Sequence, residues 1–510
     1  MSSPVTAEEY TRVVAENQAL HGQLDALRRQ LAWFKRQLFG EKSERYRVLD
    51  PAVQANLFEQ AATPVPEAPE REQISYTRRK GKDRDGALTD TGLRFDDSVP
   101  RRVIDVAPAG LGQGDAEDYE VVATRSTFRL AQRRAGYEVL EYRHPVLKHR
   151  GSGSLETLSA PPNVFEGSVF DVSFAAGVLL DKFCFHLPLY RQHQRLAQSG
   201  IQVARSSLSA VVARAAALLA PVAKAQLAHA LAGGVLAMDE TPIKVGRKGR
   251  GQMQQAYFWP LYGQDDEICF TFSRSRGKGH IERTLKDRFH GVLLTDGYAA
   301  YETYAAGRPR VTHAQCWSHM RRGFERALGT DPAAAAALGH IGALYAAEQS
   351  IRERGLHGQA KRRARRARCG PLVRAFWRWC DEQIHRTELE PHHPLLKALG
   401  YVRERRGALE VFLAHPDVPI DTNHLERGLR PIPMGRRNWL FCWSEVGADH
   451  VATIQTLLVT CRLQGVDPYT YLVDVLQRVG LHPAARVEEL TPRRWKALFA
   501  DAPLRSDIDR

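Results

Sequence analysis

Apolar positions near the N-terminus recur with a strict period. Tyr10, Val13, Asn17, Leu20, Leu24, Leu27, Leu31, Phe34 and Leu38 are separated by alternating steps of 3 and 4. This unbroken 3.5-residue repeat predicts a left-handed coiled coil within residues 1–50, with Asn17 as the polar seam position that sets register and strand number. A helix that packs its apolar stripe on its own domain is the alternative for the same stretch.

Periodicity then fades. Residues 51–85 hold Pro51, Pro64, Pro66 and Pro69 and the basic run Arg78-Arg79-Lys80-Gly81-Lys82, which read as a linker. Between 86 and 165, short alternating runs such as VPRRVIDVAP and YEVLEYRHPVLKH are broken by Gly and Pro, the pattern of a small β-rich module. Helical spacing returns over 166–225, where one long apolar segment from Phe170 is expected to run to Gly200 and a second to start behind Ser206. Two helices joined by a short turn, with Arg191, Arg195 and Arg205 nearby, suit either a DNA-binding helix-turn-helix or an ordinary helical hairpin.

From 226 to 325 the pattern is mixed. VLAM, QAYFWPLYG and EICFTFS read as strands, HIERTLKDRF as a helix, and GVLLTDG and RVTHAQCW as two further strands. Residues 326–415 are helical and rich in Ala and Arg, 416–445 begin with a capped helix in DTNHLERGLR, and 446–510 form an apolar helical tail. The expected fold class is therefore multidomain α+β, assembled from these successive segments.

Composition narrows the function. The chain of 510 residues carries 72 Lys+Arg against 58 Asp+Glu, a net charge of +14. That excess of positive charge points to polyanions, nucleic acid first. No uninterrupted apolar run reaches the ~18 residues of a membrane span, and the acidic N-terminus does not resemble a secretory signal. Seven cysteines with no C-x-x-C pair read as reduced thiols, so the expected location is cytoplasmic, at the nucleoid, with no membrane partner.

Three acids carry the candidate chemistry. Asp239 ends the apolar run AMDET and Asp296 ends GVLLTDG, and a carboxylate at the C-terminal end of a buried strand projects into the crevice where sites form. Glu426 follows on a helix, beside the donors Arg427, Arg430, Arg436, Arg437 and Asn438, a grouping that suits phosphate contacts next to a metal site. Phosphodiester cleavage needs charge neutralised on both the attacking and leaving oxygens, which two divalent ions about 4 Å apart supply. All-oxygen ligands select Mg²⁺ or Mn²⁺. Cys316-x-x-His319 lacks the second ligand pair of a structural zinc site, so no zinc is expected there. The run of Lys361, Arg362, Arg363, Arg365, Arg366 and Arg368 reads either as a solvated helix face or as a surface tracking the DNA backbone, and Trp317 either as a base-stacking ring or as core.

These blocks together resemble a known family. LAWFKRQLFGEKSER, LPLYRQHQRLAQSGIQVARSSLS, MDETPIKV, LLTDGYAAY, CWSHMRRGFERAL, NHLERGLRPIPMGRRNWLF and TCRLQGVDPYTYLVDVL, in this order, are similar to the insertion sequence 66 family of DDE transposases. The resemblance implies a ribonuclease H-like core with Asp239, Asp296 and Glu426 as its catalytic, metal-binding triad, interrupted by a helical insertion over 326–415. It implies cleavage at the element's terminal inverted repeats and joining of the 3′-hydroxyl to target DNA. His319 then falls near the active site and the DNA, with Arg321 and Arg322 beside it as further DNA contacts. A homo-oligomer paired through the coiled coil and small accessory proteins of the same element are the implied partners. Many relatives carry a cysteine-rich zinc module before the helical region. Here no cysteine precedes Cys184, so 86–165 cannot build that site. Two other readings stay open: a ribonuclease H-like nuclease that cleaves without joining, and a catalytically silent DNA-binding protein derived from a transposase.

Overall fold

The computed structural model describes residues 93–106, 119–133, 136–157, 163–249, 252–386, 390, 392–439, 442 and 444–509. The heptad segment and the linker of 51–85 lie outside the described residues. The described chain divides into two compact units. One comprises residues up to Val178, Leu189–Ala213 and Ser506 onward, and the other comprises Leu179–Pro188 and Arg214–Arg505.

The first unit is built on a long hairpin. Strand β1 (Arg94–Phe95) is followed by β2 (Arg101–Asp105), β3 (Tyr119–Arg133), β4 (Gly136–His149) and β5 (Leu155–Thr157). Antiparallel pairing joins β3 and β4 nearly end to end, β2 adds parallel to β4, and β5 closes antiparallel on β4. Alternation along β4 turns Leu140 and Tyr142 inward, where they pack with Ala131, Ile104 and Ile508. Ile508 comes from the far end of the chain. Next to it the Tyr142 hydroxyl donates to Asp507 at 2.7 Å, 365 positions along the chain, and Arg102 donates to the carbonyls of Asp507 and Ile508 at 3.1 Å.

Three helices follow: α1 (Val172–Phe183), α2 (Leu189–Gln198) and, after the short strand β6 (Ile201–Gln202), α3 (Arg205–Ala232). The sequence pattern predicts one helix running to Gly200, and the structure breaks it in two. His186 takes a positive φ of 57° and Pro188 follows, so the chain turns where residue 187 cannot hold helical geometry ahead of a proline. Helix α3 begins at Arg205, which puts Ser206 inside its first turn rather than at the cap. By length and composition α3 could cross a membrane, and half of that apolar stretch is buried within the protein.

The second unit holds the mixed sheet. Its strands are β7 (Val235–Met238), β8 (Thr241–Gly249), β9 (Gln252–Gly263), β10 (Ile268–Ser273), β11 (Gly291–Thr295) and β12 (Val311–Gln315), in the order β10-β9-β7-β11-β12 with β8 paired to β9. Strands β8, β9 and β10 run as an antiparallel meander, while β7, β11 and β12 are mutually parallel. Parallel strands are covered on both faces, which is why VLAM and GVLLT are almost uninterruptedly apolar and buried. Helix α4 (Lys278–Leu285) carries the chain from β10 to β11, and α5 (Ala299–Ala306) carries it from β11 to β12. Their apolar faces pack with Trp259, Leu261, Leu293, Tyr301 and Tyr304 into the main core.

Beyond β12 come α6 (Trp317–Leu328), α7 (Ala334–Glu353), α8 (Gly358–Ile384), α9 (Pro394–Glu404) and α10 (Arg406–Ala414), and then α11 (Asn423–Leu429), α12 (Pro431–Trp439), α13 (Glu445–Leu463), α14 (Pro468–Arg478) and α15 (Pro492–Leu498). Helix α13 protects the exposed edge of the sheet. Thr456 and Thr460 accept hydrogen bonds from the backbone N–H groups of Phe270 and Ile268 at 2.8 and 3.2 Å, satisfying edge-strand donors that would otherwise invite another strand.

Candidate active site

Two of the three acids are positioned by one sheet. Ala237 pairs with Leu294 in the parallel ladder of β7 and β11, so Asp239 and Asp296 leave their strands in the same register, two residues on. Asp296 shapes its own turn, its Oδ1 accepting from the Tyr298 N–H at 2.9 Å. Asp239 Oδ1 accepts from the Glu240 N–H at 2.7 Å.

Charge crowds around Asp239. Burial, and then the carboxylates of Glu240, Asp296 and Glu426, push its pKa up to about 7. The third acid thus reaches the same electrostatic neighbourhood from α11. Its place there follows from the segment before it. Asp421 accepts from the Asn423 N–H at 3.0 Å to start the helix, and Thr422 donates from its N–H and its hydroxyl to the Cys316 sulfur, both at 3.3 Å. The Trp317 N–H also donates to the Ile420 carbonyl at 3.0 Å. Cys316 is therefore a buried anchor for the Glu426 segment, and burial holds its thiol above the ordinary range.

Glu426 is held by its neighbours. Arg322 Nη2 donates to both of its carboxylate oxygens, at 2.9 and 3.1 Å, and His319 Nε2 lies 3.6 Å away. Burial, then Arg322, lower the pKa of His319. Among the described residues no three His, Cys, Asp or Glu side chains stand gathered as a metal site. The donor chemistry nevertheless suits a hard divalent ion. The acids offer only oxygens, and burial first and the neighbouring carboxylates second raise the proton affinity of Asp239, which a bound divalent cation would offset.

The remaining expected residues separate. Arg427, Arg430, Arg437 and Asn438 are exposed, while Arg436 donates to the Pro242 carbonyl. Arg321 pairs with Glu325 at 2.7 Å on the outer face of α6. Trp317 is core: it is buried among Phe376, Trp377 and Phe412 and donates from its indole nitrogen to the Leu409 carbonyl at 2.9 Å, so it is no base-stacking ring.

The basic run is split by the helix it lies on. Arg363 and Arg366 are exposed, Lys361 and Arg362 are half-buried, and Arg365 is buried at 1% exposure. The Arg365 guanidinium pairs with Glu348 at 2.8 and 2.9 Å and donates to the carbonyls of Phe412, His415 and Val418. Arg365 therefore faces inward, buried and held by Glu348 and these carbonyls, and is not presented to DNA as the sequence reading expected.

Sequence reasoning missed the groups that hold Glu240 and those that border the site from α9. Glu240 accepts from the Tyr301 hydroxyl at 2.7 Å and from Arg276 Nε at 2.7 Å. Lys397 and Tyr401 also border the site from α9, one turn apart on one helix face, and nothing in the sequence signalled that this face meets Asp296. Together with Asp296, Arg322 and Arg326 they line a cleft of about 610 Å³.

Comparison with known proteins bears on all of this. The family model described as "Transposase IS66 family" matches residues 167–450, more than half the chain. The "IS66 C-terminal element" matches 456–493, and "Transposase C of IS166 homeodomain" matches 26–104. The uncharacterized protein y4jD of Sinorhizobium fredii (strain NBRC 101917 / NGR234) is 27% identical across 97% of both chains. The uncharacterized proteins y4qI and y4hP of the same strain are 29% and 28% identical over 71% of this chain and 69% of theirs.

Proposed function

The chain belongs to the IS66 family of transposases, and from that premise we propose that it is a DDE-type enzyme that cleaves DNA at the ends of an insertion element and joins the freed 3′-hydroxyl to target DNA. One observation carries the reading. Asp239 and Asp296 end adjacent parallel strands, and Glu426 is near enough to raise the proton affinity of Asp239. An antiparallel meander leading through a helix into parallel strands supports treating the sheet unit as a ribonuclease H-like core, with residues 326–415, which hold α7 to α10, as its helical insertion. DNA is the expected substrate on both the element and the target side, with exposed Arg427, Arg430 and Arg437 as backbone contacts.

In the mechanism, Asp239, Asp296 and Glu426 would hold two Mg²⁺ or Mn²⁺ ions, which supply charge neutralisation at the attacking and leaving oxygens. The sheet fixes the first two carboxylates. Arg276 and Tyr301 hold the neighbouring Glu240 carboxylate in place, which keeps a fourth acid beside the triad in one position. His319 and Arg322 orient Glu426. No covalent intermediate on the protein is needed. The heptad helix of residues 1–50 would pair two copies, and small accessory proteins of the same element would complete the assembly.

The test is a Mg²⁺-dependent assay on DNA carrying the element's own termini, with cleaved and joined products measured separately. Asp239→Asn, Asp296→Asn and Glu426→Gln should each abolish both products and leave DNA binding intact, because binding rests on Lys and Arg elsewhere. Full activity of Glu426→Gln would refute the triad. Cleavage without joining would favour the nuclease, and binding without either product the silent protein.

A further inference from the structure

Arg322 faces two ways. On one side its Nη2 holds both oxygens of Glu426, and on the other its side chain lines the cleft beside Asp296. Arg326 stands one turn further along α6 and lines the same cleft, and Lys397 faces it from α9. Three cations thus converge on a cavity of about 610 Å³ whose single acidic lining residue, among those described, is Asp296. Arg322 and Lys397 are exposed, so the cations are open to solvent and to a charged ligand.

A guanidinium matches the two oxygens of a phosphodiester as well as it matches a carboxylate. A divalent ion and Arg322, in contrast, compete for the same Glu426 oxygens. We propose that this cleft binds a backbone phosphate of the DNA, and that the phosphate draws Arg322 away from Glu426, so that the third carboxylate becomes available to metal only once DNA is seated. The inference rests on the transposase reading and adds to it an order of assembly: DNA first, complete metal site second. Arg326 and Lys397 supply the charge that makes the transfer favourable, since a phosphate in the cleft meets three cations while Glu426 meets Arg322 and a half-buried histidine. Linkage makes the coupling reciprocal, so metal and DNA each strengthen binding of the other.

Two measurements test it on the full chain. The first is Mn²⁺ titration calorimetry without DNA, after thermal melting has shown each variant to be folded. Arg322→Gln should bind Mn²⁺ roughly tenfold tighter than wild type, within the usual range of coupling between sites. Arg322→Lys, which keeps the charge but cannot hold both oxygens in a fork, should fall between them. Arg326→Gln should stay near wild type. If Arg326→Gln gains as much as Arg322→Gln, the effect is bulk charge and the proposal fails, as it does if Arg322→Gln gains nothing.

The second is anisotropy of a labelled duplex of arbitrary sequence in EDTA across a salt series. Arg326→Gln and Lys397→Gln should each flatten the slope of log affinity against log salt, by up to about 0.9 for a lost phosphate contact. Wild-type slopes in both variants would show that no phosphate occupies the cleft. Cleavage of element-end DNA reports separately on the transposase reading. Cleavage by wild type together with either negative result overturns the cleft proposal alone.

Discussion

At position 297 a methyl group has nowhere to go, because the hydroxyl of Tyr401 already occupies the place a Cβ would take. Gly297→Ala should therefore destabilise the protein by about 1–3 kcal/mol through overpacking, measured by denaturant midpoint. Tyr401→Phe should be close to neutral alone and should recover part of the loss in the double variant, because it removes the nearest atom while the ring carbon Cζ stays 2.5 Å from that Cβ. A double variant as unstable as Gly297→Ala would show that the strain lies elsewhere. His280 offers a second test. Burial, then Arg283, push its pKa from 6.5 down to about 4, and its Nε2 lies 2.9 Å from the Thr271 hydroxyl. The folded state thus binds the proton more weakly than the unfolded one. The stability tied to neutral His280 is complete above about pH 6.5 and is lost as pH falls toward 4, by at most about 3 kcal/mol. Urea unfolding of His280→Gln should show a shallower loss of stability over that window than wild type, and equal slopes would refute the assignment. Asp239 and Asp296 were legible because each follows a buried apolar run. Tyr401 was not, since nothing along the chain announces that a residue more than a hundred positions away will press on the loop after Asp296.

At the scale of elements, helix α8 shows where composition misleads. Six cations in eight residues look like one surface, yet Arg365 shares a row with Cys369, Val373, Phe376 and Cys380, all buried. That helical spacing was present in the sequence and assigns Arg365 to the core face. Arg365→Gln should leave Glu348 buried without its cation and cost about 3–5 kcal/mol, seen as a lowered melting temperature. Arg363→Gln with Arg366→Gln should leave the melting temperature unchanged and, if the outer face of α8 tracks DNA, flatten the salt slope by about 1–2. An unchanged slope would make that face a solvated surface. Helix α1 teaches the complementary lesson. Its apolar pattern continues past Phe183 although the helix does not, because backbone direction at 186–188 is set by a left-handed residue and a proline, and Phe185 in that continuation is exposed.

At the scale of the whole molecule, the succession of strands and helix that builds the mixed sheet was readable from alternating and continuous apolar runs, whereas the order in which the strands pair and the division into two units were not. Segments distant in sequence share each unit, and apolar pattern carries no record of such distant partners. The heptad segment supports one further expectation. Deleting residues 1–39 should lower the mass measured by light scattering if the repeat pairs two chains, and an unchanged mass would remove it from assembly. The contact of Tyr142 with Asp507, and of Ile508 with Leu140 and Ala131, has a consequence for synthesis. Hairpin β3–β4 leaves the ribosome early, but the residues that seal its core are translated only after everything from Arg214 to Arg505. During that interval the inner face of the hairpin is open, so the earliest β-structure made is among the last to be finished, and a nascent chain stalled before Asp507 would display an unsealed sheet to chaperones and proteases.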